Sequence, residues 1–457
     1  MRQSSIHVIG GGLAGSEAAY QVAMRGISVV LHEMRPQKMT EAHSTSQFAE
    51  LVCSNSFGSV SPNSASRILK DELHELGGFV LSVAQAIAVP AGASLAVDRV
   101  KLSEIITNKL ESHPLITISR QEVTEIPKNA ITILATGPLT SKPLIESLTP
   151  IFGNNSLYFY DAISPIVSTD SLNLDKLYFA NRYDKGETKD FLNVPLTEAQ
   201  YETLVDDLLS GDVVLPHNFE EEKYFESCMP IEAIAARGRK TLSFGPMKPV
   251  GLNDPKTGIR PFAVVQLRTE NKYKTAYNLV GFQTKLKYKE QERIFRKLPG
   301  LENVEFLRLG SMHRNTYIDS PRLLQPTLQL KSHPELFVAG QLTGTEGYLE
   351  STATGLLAAV NAVQLYRDKT SLVLPEKTML GALLHAITDS GKTSFQPMNV
   401  NMGLLPPLDN FSGKDKKLKY GLLAARTQRE LKSWIDEKGW KSVAVFKTDP
   451  VLADDKF

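Results

Sequence analysis

The chain has few cysteines and little net charge, and each shortage excludes a class of protein. Cys53 and Cys228 are the only cysteines among its 457 residues, too few for a disulfide framework or a four-cysteine zinc site. We therefore expect free thiols and no metal site. The 51 Lys and Arg nearly balance the 50 Asp and Glu, and the formal charge is +1. This balance excludes a uniformly basic surface, so a nucleic acid would have to bind at a local basic patch.

Long apolar runs are missing too. None approaches the roughly 20 residues that cross a bilayer, and residues 1–5 lead into a glycine motif without the apolar core of a signal peptide. We therefore expect no membrane association and a cytoplasmic location. With 42% apolar and 22% charged residues, the composition is that of a globular protein, and the length predicts two or three domains.

A dinucleotide-binding fingerprint stands near the start of the chain. An apolar strand at 6–9 leads into a glycine-rich turn, a helix follows over 16–25, and a second strand over 27–32 ends at Glu33. Glycines allow a tight turn and close approach of a pyrophosphate, the helix N-terminus attracts its charge, and the carboxylate binds a ribose hydroxyl. We predict that Glu33 and the whole turn bind the cofactor. The turn consists of Gly10, Gly11, Gly12, Leu13, Ala14 and Gly15.

Later segments favour FAD over NAD as this cofactor. Apolar strands recur at 130–134 and 336–340, and an alanine-rich helix over about 350–366 follows the second one. The sheets of FAD domains return in this way, and a second helix N-terminus would point toward the cofactor. A plain strand–loop–helix crossover is the alternative. The residues that we expect to bind FAD from these segments are Gly137, Gly340, Gly347 and Tyr348.

The order of these elements predicts the domains. Because the cofactor elements must share one sheet, the residues between them contain an inserted domain. We predict an α/β protein with a Rossmann-like FAD-binding domain in two parts, 1–150 and 311–457, and a mixed α/β domain with a partly antiparallel sheet inserted at 151–310. A second complete glycine fingerprint is missing, so we expect NAD(P)H to reduce the flavin by binding transiently rather than in a domain of its own.

The last predicted helix, over about 417–438, is basic. Residues 411–440 carry eight Lys or Arg against four acids. Lys417, Lys419 and Arg426 are our candidates for contacts with phosphate, and an ordinary solvated helix face is the alternative. A second basic segment, 285–289, interleaves three lysines with a tyrosine.

Eight short motifs make the sequence more specific. They lie at 33–36, 48–56, 90–92, 96–99, 228–232, 244–252, 312–317 and 395–401. With these motifs the chain resembles, nearly end to end and in consistent order, the folate- and FAD-dependent tRNA uracil-5-methyltransferases. The wider flavoprotein group includes the larger glucose-inhibited division protein, and the shorter length here favours the methyltransferase.

The resemblance implies methylation at C5 of a uridine in the T loop of tRNA. It implies 5,10-methylenetetrahydrofolate as carbon donor and FAD, reduced by NAD(P)H, as electron donor. It also implies that Cys53 and Cys228 take part in the chemistry and that Arg35, from the first motif, belongs to the cofactor site. Three alternatives stay open: the same chemistry on a ribosomal RNA uridine, a flavin oxidoreductase acting on a small molecule, and a flavin-containing RNA-binding protein without catalysis. We expect no protein partner.

The residue types fit this chemistry. C5 of uracil becomes nucleophilic only when a group adds at C6, and a thiolate suits that addition. We predict this role for Cys228. We expect Cys53 near the FAD, where it protects the flavin, assists proton removal or holds a resting adduct; simple packing is the alternative for both thiols. A base must also remove the C5 proton and a cation must stabilise the enolate. The candidates are His43, Glu50, His313, Arg314 and Glu346, and Arg314 is equally a candidate for folate or RNA phosphate.

Overall fold

The structure is a computed structural model. It describes residues 5–152, 156–184, 188–214, 224, 229–271, 273–391, 395–409, 411 and 413–443, and for 156–161, 313 and 314 it describes the backbone alone. The strands are β1 (Ser5–Ile9), β2 (Ser28–His32), β3 (Ser56–Ser59), β4 (Ala88–Val89), β5 (Ser94–Val97), β6 (Ile116–Ser119), β7 (Thr132–Leu134), β8 (Ser156–Ala162), β9 (Ile166–Ser168), β10 (Tyr178–Phe179), β11 (Leu192–Leu196), β12 (Ala263–Thr269), β13 (Ala276–Leu279), β14 (Phe306–Arg308), β15 (Met312–Ile318) and β16 (Leu336–Val338). The helices are α1 (Leu13–Met24), α2 (Ala65–Leu76), α3 (Phe79–Ala86), α4 (Arg99–Glu111), α5 (Lys142–Phe152), α6 (Glu198–Ser210), α7 (Ile231–Ala236), α8 (Thr241–Phe244), α9 (Tyr288–Phe295), α10 (Ser320–Leu323), α11 (Tyr348–Tyr366), α12 (Met379–Thr388) and α13 (Lys416–Lys438).

A parallel sheet carries the predicted fingerprint. Its five strands lie in the order β16-β7-β1-β2-β6, so the strand before the glycine turn is central. The helices α1 and α11 pack against each other, and a Cβ added to Gly355 would lie 2.3 Å from the carbonyl oxygen of Ala14. Two helices that follow two strands of one sheet thus meet next to the turn. The prediction of an α/β fold with a Rossmann-like sheet is confirmed.

A second sheet belongs to the inserted residues. Its six strands lie in the order β10-β11-β12-β13-β9-β14, and every pairing between them is antiparallel. The sequence predicts a partly antiparallel sheet, and the structure differs in that each of these pairings is antiparallel. Short connections, such as the one from β12 to β13, favour antiparallel neighbours over parallel ones. This sheet has its own apolar core, in which Val194, Val265 and Leu279 are fully buried.

A two-stranded ribbon connects the two sheets. The strands β8 and β15 pair antiparallel over their whole length, with Ala162 opposite Met312 and Ser156 opposite Ile318. The chain leaves the parallel sheet through one strand and returns through the other. The predicted boundaries at 150/151 and 310/311 fall next to this ribbon, and the division into domains stays a prediction.

The basic helix α13 is capped at both ends and is held against the residues that follow α11. Asp415 accepts hydrogen bonds from the backbone N–H groups of Lys417 and Leu418, and Gly439 ends the helix with a left-handed conformation (φ 59°). The Trp434 side chain is buried and donates a hydrogen bond to the carbonyl of Val373 at 2.9 Å. Across the described part of the chain, no helix combines the length and apolarity that crossing a membrane requires.

Candidate active site

The glycine turn is shaped by steric limits at two positions. Gly10 has φ +103°, and a Cβ there would lie 2.4 Å from the carbonyl oxygen of Ala135 on the neighbouring connection. A Cβ on Gly15 would lie 1.8 Å from the carbonyl oxygen of Gly10. The helix α1 begins at Leu13, the preceding Gly12 provides no side-chain cap, and the first turn of this helix, which the structure describes in full, has no acidic residue. The geometry therefore leaves a helix N-terminus suited to a pyrophosphate.

Glu33 is a buried carboxylate at the end of β2. It accepts hydrogen bonds from the backbone N–H of Gly11 at 3.0 Å and from Nε of Arg35 at 3.0 Å. Arg35 is 1% exposed and also donates to Glu50 at 3.1 Å. Burial pushes the pKa of Glu33 up, but the hydrogen bonds and charge of Arg35 outweigh burial, and the pKa lies below its usual value. The carboxylate is therefore an ionised acceptor, as a ribose hydroxyl requires.

These groups line a cleft of about 1040 Å³, here called the cofactor cleft. Ten of the twelve predicted cofactor residues line it; Gly15 does not, and Gly347 lies in the next cleft. The ten are Gly10, Gly11, Gly12, Leu13, Ala14, Glu33, Arg35, Gly137, Gly340 and Tyr348. A carboxylate at one end and a glycine turn beside a helix N-terminus match the adenosine and pyrophosphate of FAD, so the residues present fit this group.

A second cleft of about 1230 Å³, here called the Cys53 cleft, continues from the first. The two share five lining residues: Val52, Pro138, Leu139, Gln341 and Tyr348. The Cys53 cleft adds polar residues from three parts of the fold: Gln283 from the inserted residues, Asn315 from β15 and Asn399 from the segment before α13. These three residues are not among the predicted site residues. Asn315 and Asn399 lie within the motifs at 312–317 and 395–401, whereas no local pattern in the sequence marks Gln283.

Cys53 is half-buried in this cleft. Its backbone N–H donates a hydrogen bond to the hydroxyl of Tyr348 at 2.9 Å, and its carbonyl accepts one from Arg99 at 3.4 Å. The Tyr348 ring lies 5.7 Å from the ring of Phe57. Tyr348 is thus a shared wall of both clefts and also a hydrogen-bond partner of the Cys53 backbone.

The candidates for the general base lie in different clefts. His43 and Glu50 line the cofactor cleft. Burial, with Arg35 adding to it, lowers the pKa of His43 to about 4, so this ring is neutral at pH 7. Burial raises the pKa of Glu50, but hydrogen bonds from Ser44 and other groups outweigh it and the net pKa lies below the usual value. Glu346 alone among these three lines the Cys53 cleft, where it is 4% exposed.

Three other predicted residues are described in part or not at all. Cys228 lies outside the described residues, and of His313 and Arg314 only the strand backbone is described. The residues that follow Cys228 are described: the N–H of Ile231 donates to the carbonyl of Gln283 at 2.7 Å. The start of α7 therefore lies against the wall of the Cys53 cleft.

The three phosphate-binding candidates on the basic helix α13 differ in their exposure to solvent. Lys417 and Lys419 are exposed. Arg426 is 8% exposed, and its guanidinium donates to the carbonyls of Pro406 at 2.6 Å and Pro407 at 2.9 Å. Helical periodicity turns this side chain inward, where it holds the proline loop. The contact of Arg426 with a ligand phosphate stays a prediction, which this inward position disfavours.

Comparison with known proteins identifies the family of this chain. A family model described as "Glucose inhibited division protein A" matches residues 5–370. The chain is 53% identical to the methylenetetrahydrofolate–tRNA-(uracil-5-)-methyltransferase TrmFO of Geobacter sulfurreducens, over 94% of this chain and 99% of that protein. It is 54% identical to the protein of the same name from Moorella thermoacetica, over 92% and 95%. Among solved structures, GidA of Aquifex aeolicus has a TM-score of 0.67 at 17% identity, covering 94% of this chain and 76% of that chain, which shows a shared fold.

Proposed function

The chain belongs to the glucose inhibited division protein A family and, within it, to the methylenetetrahydrofolate–tRNA-(uracil-5-)-methyltransferases, and we propose that it methylates C5 of a uridine in the T loop of tRNA. Its carbon donor is 5,10-methylenetetrahydrofolate, and NADH or NADPH restores the reduced cofactor. It works in the cytoplasm and without an obligate protein partner. The observation that carries this proposal is the continuity of the two clefts through Tyr348, which joins a fingerprint for FAD to a thiol.

The cofactor cleft is the site for FAD. The glycine turn and the N-terminus of α1 bind the pyrophosphate, and Glu33 binds a ribose hydroxyl. Tyr348 lines both clefts and Gly347 lines the Cys53 cleft, so these two residues would bind the flavin end together with Gly340 of the cofactor cleft. When bound, FAD supplies the electrons that convert a methylene group into a methyl group.

The protein's own groups activate the pyrimidine. The thiolate of Cys228 adds to C6 of the uracil and forms a carbon–sulfur bond, which makes C5 nucleophilic toward the methylene carbon. Glu346 takes the proton that leaves C5, since it is the described candidate that lies in the same cleft as Cys53. Loss of that proton breaks the bond between the transferred carbon and the folate nitrogen and leaves a methylene group on C5. When a hydride equivalent reduces this group to a methyl group, the C5–C6 double bond re-forms and the Cys228 thiolate is expelled. Cys53 stands beside the cofactor, where it assists the removal of the C5 proton, protects the cofactor or holds a resting adduct.

RNA binds at local basic surfaces. Lys417 and Lys419 at the exposed start of α13 contact phosphates, and so does Arg314 in β15. Arg426 is not part of this surface because its guanidinium is bonded to two carbonyls. The formal charge of +1 makes such local contacts necessary.

The test is transfer of labelled carbon from 5,10-methylenetetrahydrofolate into unmodified RNA transcripts by the FAD-loaded enzyme with NADH or NADPH. We expect label in tRNA with the native chain and at least about 1000-fold less with Cys228→Ala, because the adduct cannot form. A ribosomal RNA transcript is the second arm, and label there instead of in tRNA would replace the proposed target. Turnover of a small acceptor with no label in either RNA would refute the proposal.

A further inference from the structure

The backbone around Cys53 is held on both sides. Arg99, the first residue of α4, donates hydrogen bonds to the carbonyls of Leu51 at 3.0 Å and Cys53 at 3.4 Å. On the other side, the N–H of Cys53 donates to the hydroxyl of Tyr348 at 2.9 Å. The position of the thiol in its cleft is therefore set by where Arg99 and Tyr348 stand.

The guanidinium of Arg99 is itself fixed from the inserted sheet. Glu270, directly after β12, is 4% exposed and pairs with Nε of Arg99. The preceding residue, Thr269, makes a second contact: its carbonyl accepts a hydrogen bond from the side-chain amide of Asn55 at 3.0 Å. The amide of Asn55 also donates to the carbonyl of Val97 at 2.9 Å. The end of β12 thus reaches the Cys53 segment twice, once through a side chain and once through a backbone carbonyl.

The buried charges at the end of β12 form a cluster of three groups, Arg99, Arg268 and Glu270, rather than a single ion pair. Arg268 is 8% exposed and lies two residues before Glu270, so in the extended chain both side chains point to the same face. Neither Nε of Arg268 nor Oε1 of Glu270 has a hydrogen-bond partner among the described residues. A buried charged cluster of this kind usually adds little stability over apolar packing, so stability alone does not account for it.

We infer that Glu270 is a positioning residue for Cys53: by fixing the guanidinium of Arg99, it sets the backbone of residues 51–53 and with it the place of the thiol in the Cys53 cleft. The position of the inserted sheet thereby controls a group that stands beside the cofactor. For its consequence in methyl transfer, this inference rests on the proposed function.

The direct test is the reactivity of the thiol. The full-length, FAD-loaded protein is alkylated with iodoacetamide from pH 6 to pH 9, and mass spectrometry of the peptides follows Cys53 separately from Cys228. We expect Glu270→Gln to change the Cys53 alkylation rate by at least about 5-fold and to shift its pH profile, because the amide no longer holds Arg99 by charge. Arg99→Lys should give a similar change, since lysine keeps the charge but cannot bond both carbonyls in a fork. The double variant should add little to either single one.

The matched control is Glu302→Gln, which removes an acid of the same part of the protein from its exposed ion pair with Lys176. Its Cys53 alkylation should stay within about 2-fold of the native rate, as for most surface changes. Circular dichroism and flavin absorbance establish that each variant is folded and loaded. If Glu270→Gln does not fold, Glu270→Asp, which keeps the charge on a shorter side chain, should change the Cys53 alkylation rate in the same direction as Arg99→Lys and by less.

Two results separate this inference from the proposed function. The positioning role would be overturned if Cys53 were alkylated at the native rate in folded Glu270→Gln or Glu270→Asp protein. It would also be overturned if the effects of the Glu270 and Arg99 changes on that rate added fully in the double variant. In methyl transfer, Glu270→Gln should lower kcat by about 10-fold and leave the KM for RNA and for folate unchanged, because it touches neither substrate. Full methyl transfer by Cys53→Ala would refute the proposed part of Cys53 in the reaction, while the alkylation result would still decide the role of Glu270.

Discussion

At the scale of single residues, the adenosine end of the proposed FAD site depends on one buried ion pair. Glu33 and Arg35 are 6% and 1% exposed, and both the side chain and the backbone N–H of Arg35 donate to the carboxylate. Arg35 in turn contacts Glu50, so the charge of Glu33 is fixed by groups that do not depend on the cofactor. A ribose hydroxyl would meet a carboxylate that is already ionised and oriented.

Replacing Glu33 with Gln should weaken FAD binding by about 10- to 100-fold, because a neutral amide gives up a charge-assisted hydrogen bond to the ribose. The measurement is a fluorescence titration of the deflavinated protein with FAD. Glu292→Gln is the matched control, since Glu292 is 45% exposed and pairs with Arg296 in the inserted residues. Equal affinity of the two variants would contradict the assignment of Glu33.

The cofactor side of the site could be predicted from the sequence because its parts are local. The glycine turn and Glu33 fall within one strand–helix–strand unit, and each has a mechanical reason for its residue type. The pair of Arg99 and Glu270 could not be predicted, because 171 residues separate its members and only folding brings them together. The inward position of Arg426 could not be predicted either, since a count of basic residues along a helix does not reveal which side faces inward.

At the scale of elements, the contact between α1 and α11 sets the shape of the cofactor cleft. Gly355 lies where α11 crosses the first turn of α1, and an added Cβ would lie 2.3 Å from the carbonyl oxygen of Ala14. Ala14 lines the cofactor cleft and Gly355 belongs to a fully buried stretch of α11. The absence of a side chain at one position therefore keeps two helix axes at the distance that the cleft requires.

Gly355→Ala should lower the free energy of unfolding by about 1–3 kcal/mol and weaken FAD binding, because the helices must move apart. The matched control is Gly421→Ala in α13, where the new Cβ would meet only the amide of Asn63 at 3.5 Å. That change should stabilise the protein by about 0.5–1 kcal/mol, as alanine does in a helix. Urea unfolding and FAD titration measure both effects, and similar results for the two variants would argue against a packing limit at Gly355.

The start of α13 should contribute to RNA binding through charge alone. Lys417→Gln combined with Lys419→Gln should raise the KM for tRNA by about 3- to 10-fold at physiological salt and reduce the salt dependence of binding by about one phosphate contact for each lysine. Lys438→Gln, at the far end of the same helix beside Glu437, is the control and should change neither quantity. An altered KM for folate, with RNA binding untouched, would remove α13 from the RNA surface.

At the scale of the whole molecule, the proposed active site lies where two separately built sheets meet. The ribbon of β8 and β15 joins them, and the Cys53 cleft takes residues from both sides of that ribbon. Strand and helix positions in each part follow from apolar patterns in the sequence, whereas the relation between the parts depends on contacts such as Asn55 to Thr269, 214 residues apart. A single sequence contains no local signal for contacts of that kind.

Three buried carboxyl groups hold helices and loops together on the side of the parallel sheet. Glu17 accepts hydrogen bonds from the first N–H groups of α3, Glu72 does the same for α12, and Glu350 accepts one from Val400. Burial raises the pKa of each of these three carboxyls to about 7, although the backbone hydrogen bonds oppose the shift. The folded protein therefore binds these protons more tightly than the unfolded chain does.

The stability of the protein should consequently fall as the pH rises from about 4.5, the ordinary pKa of Glu, through about 7, and should level off above that. Glu72→Gln removes one such proton, so its free energy of unfolding should fall less between pH 5 and pH 8 than that of the native chain, by about 1–3 kcal/mol. At pH 5 the variant should be the less stable of the two, because an amide offers one acceptor where the carboxyl group holds two N–H groups. Urea unfolding at both pH values measures the difference, and Glu104→Gln on the exposed side of α4 should keep the native slope. If the free energy of unfolding of Glu72→Gln changed with pH as steeply as that of the native chain, Glu72 would have an ordinary pKa inside the fold.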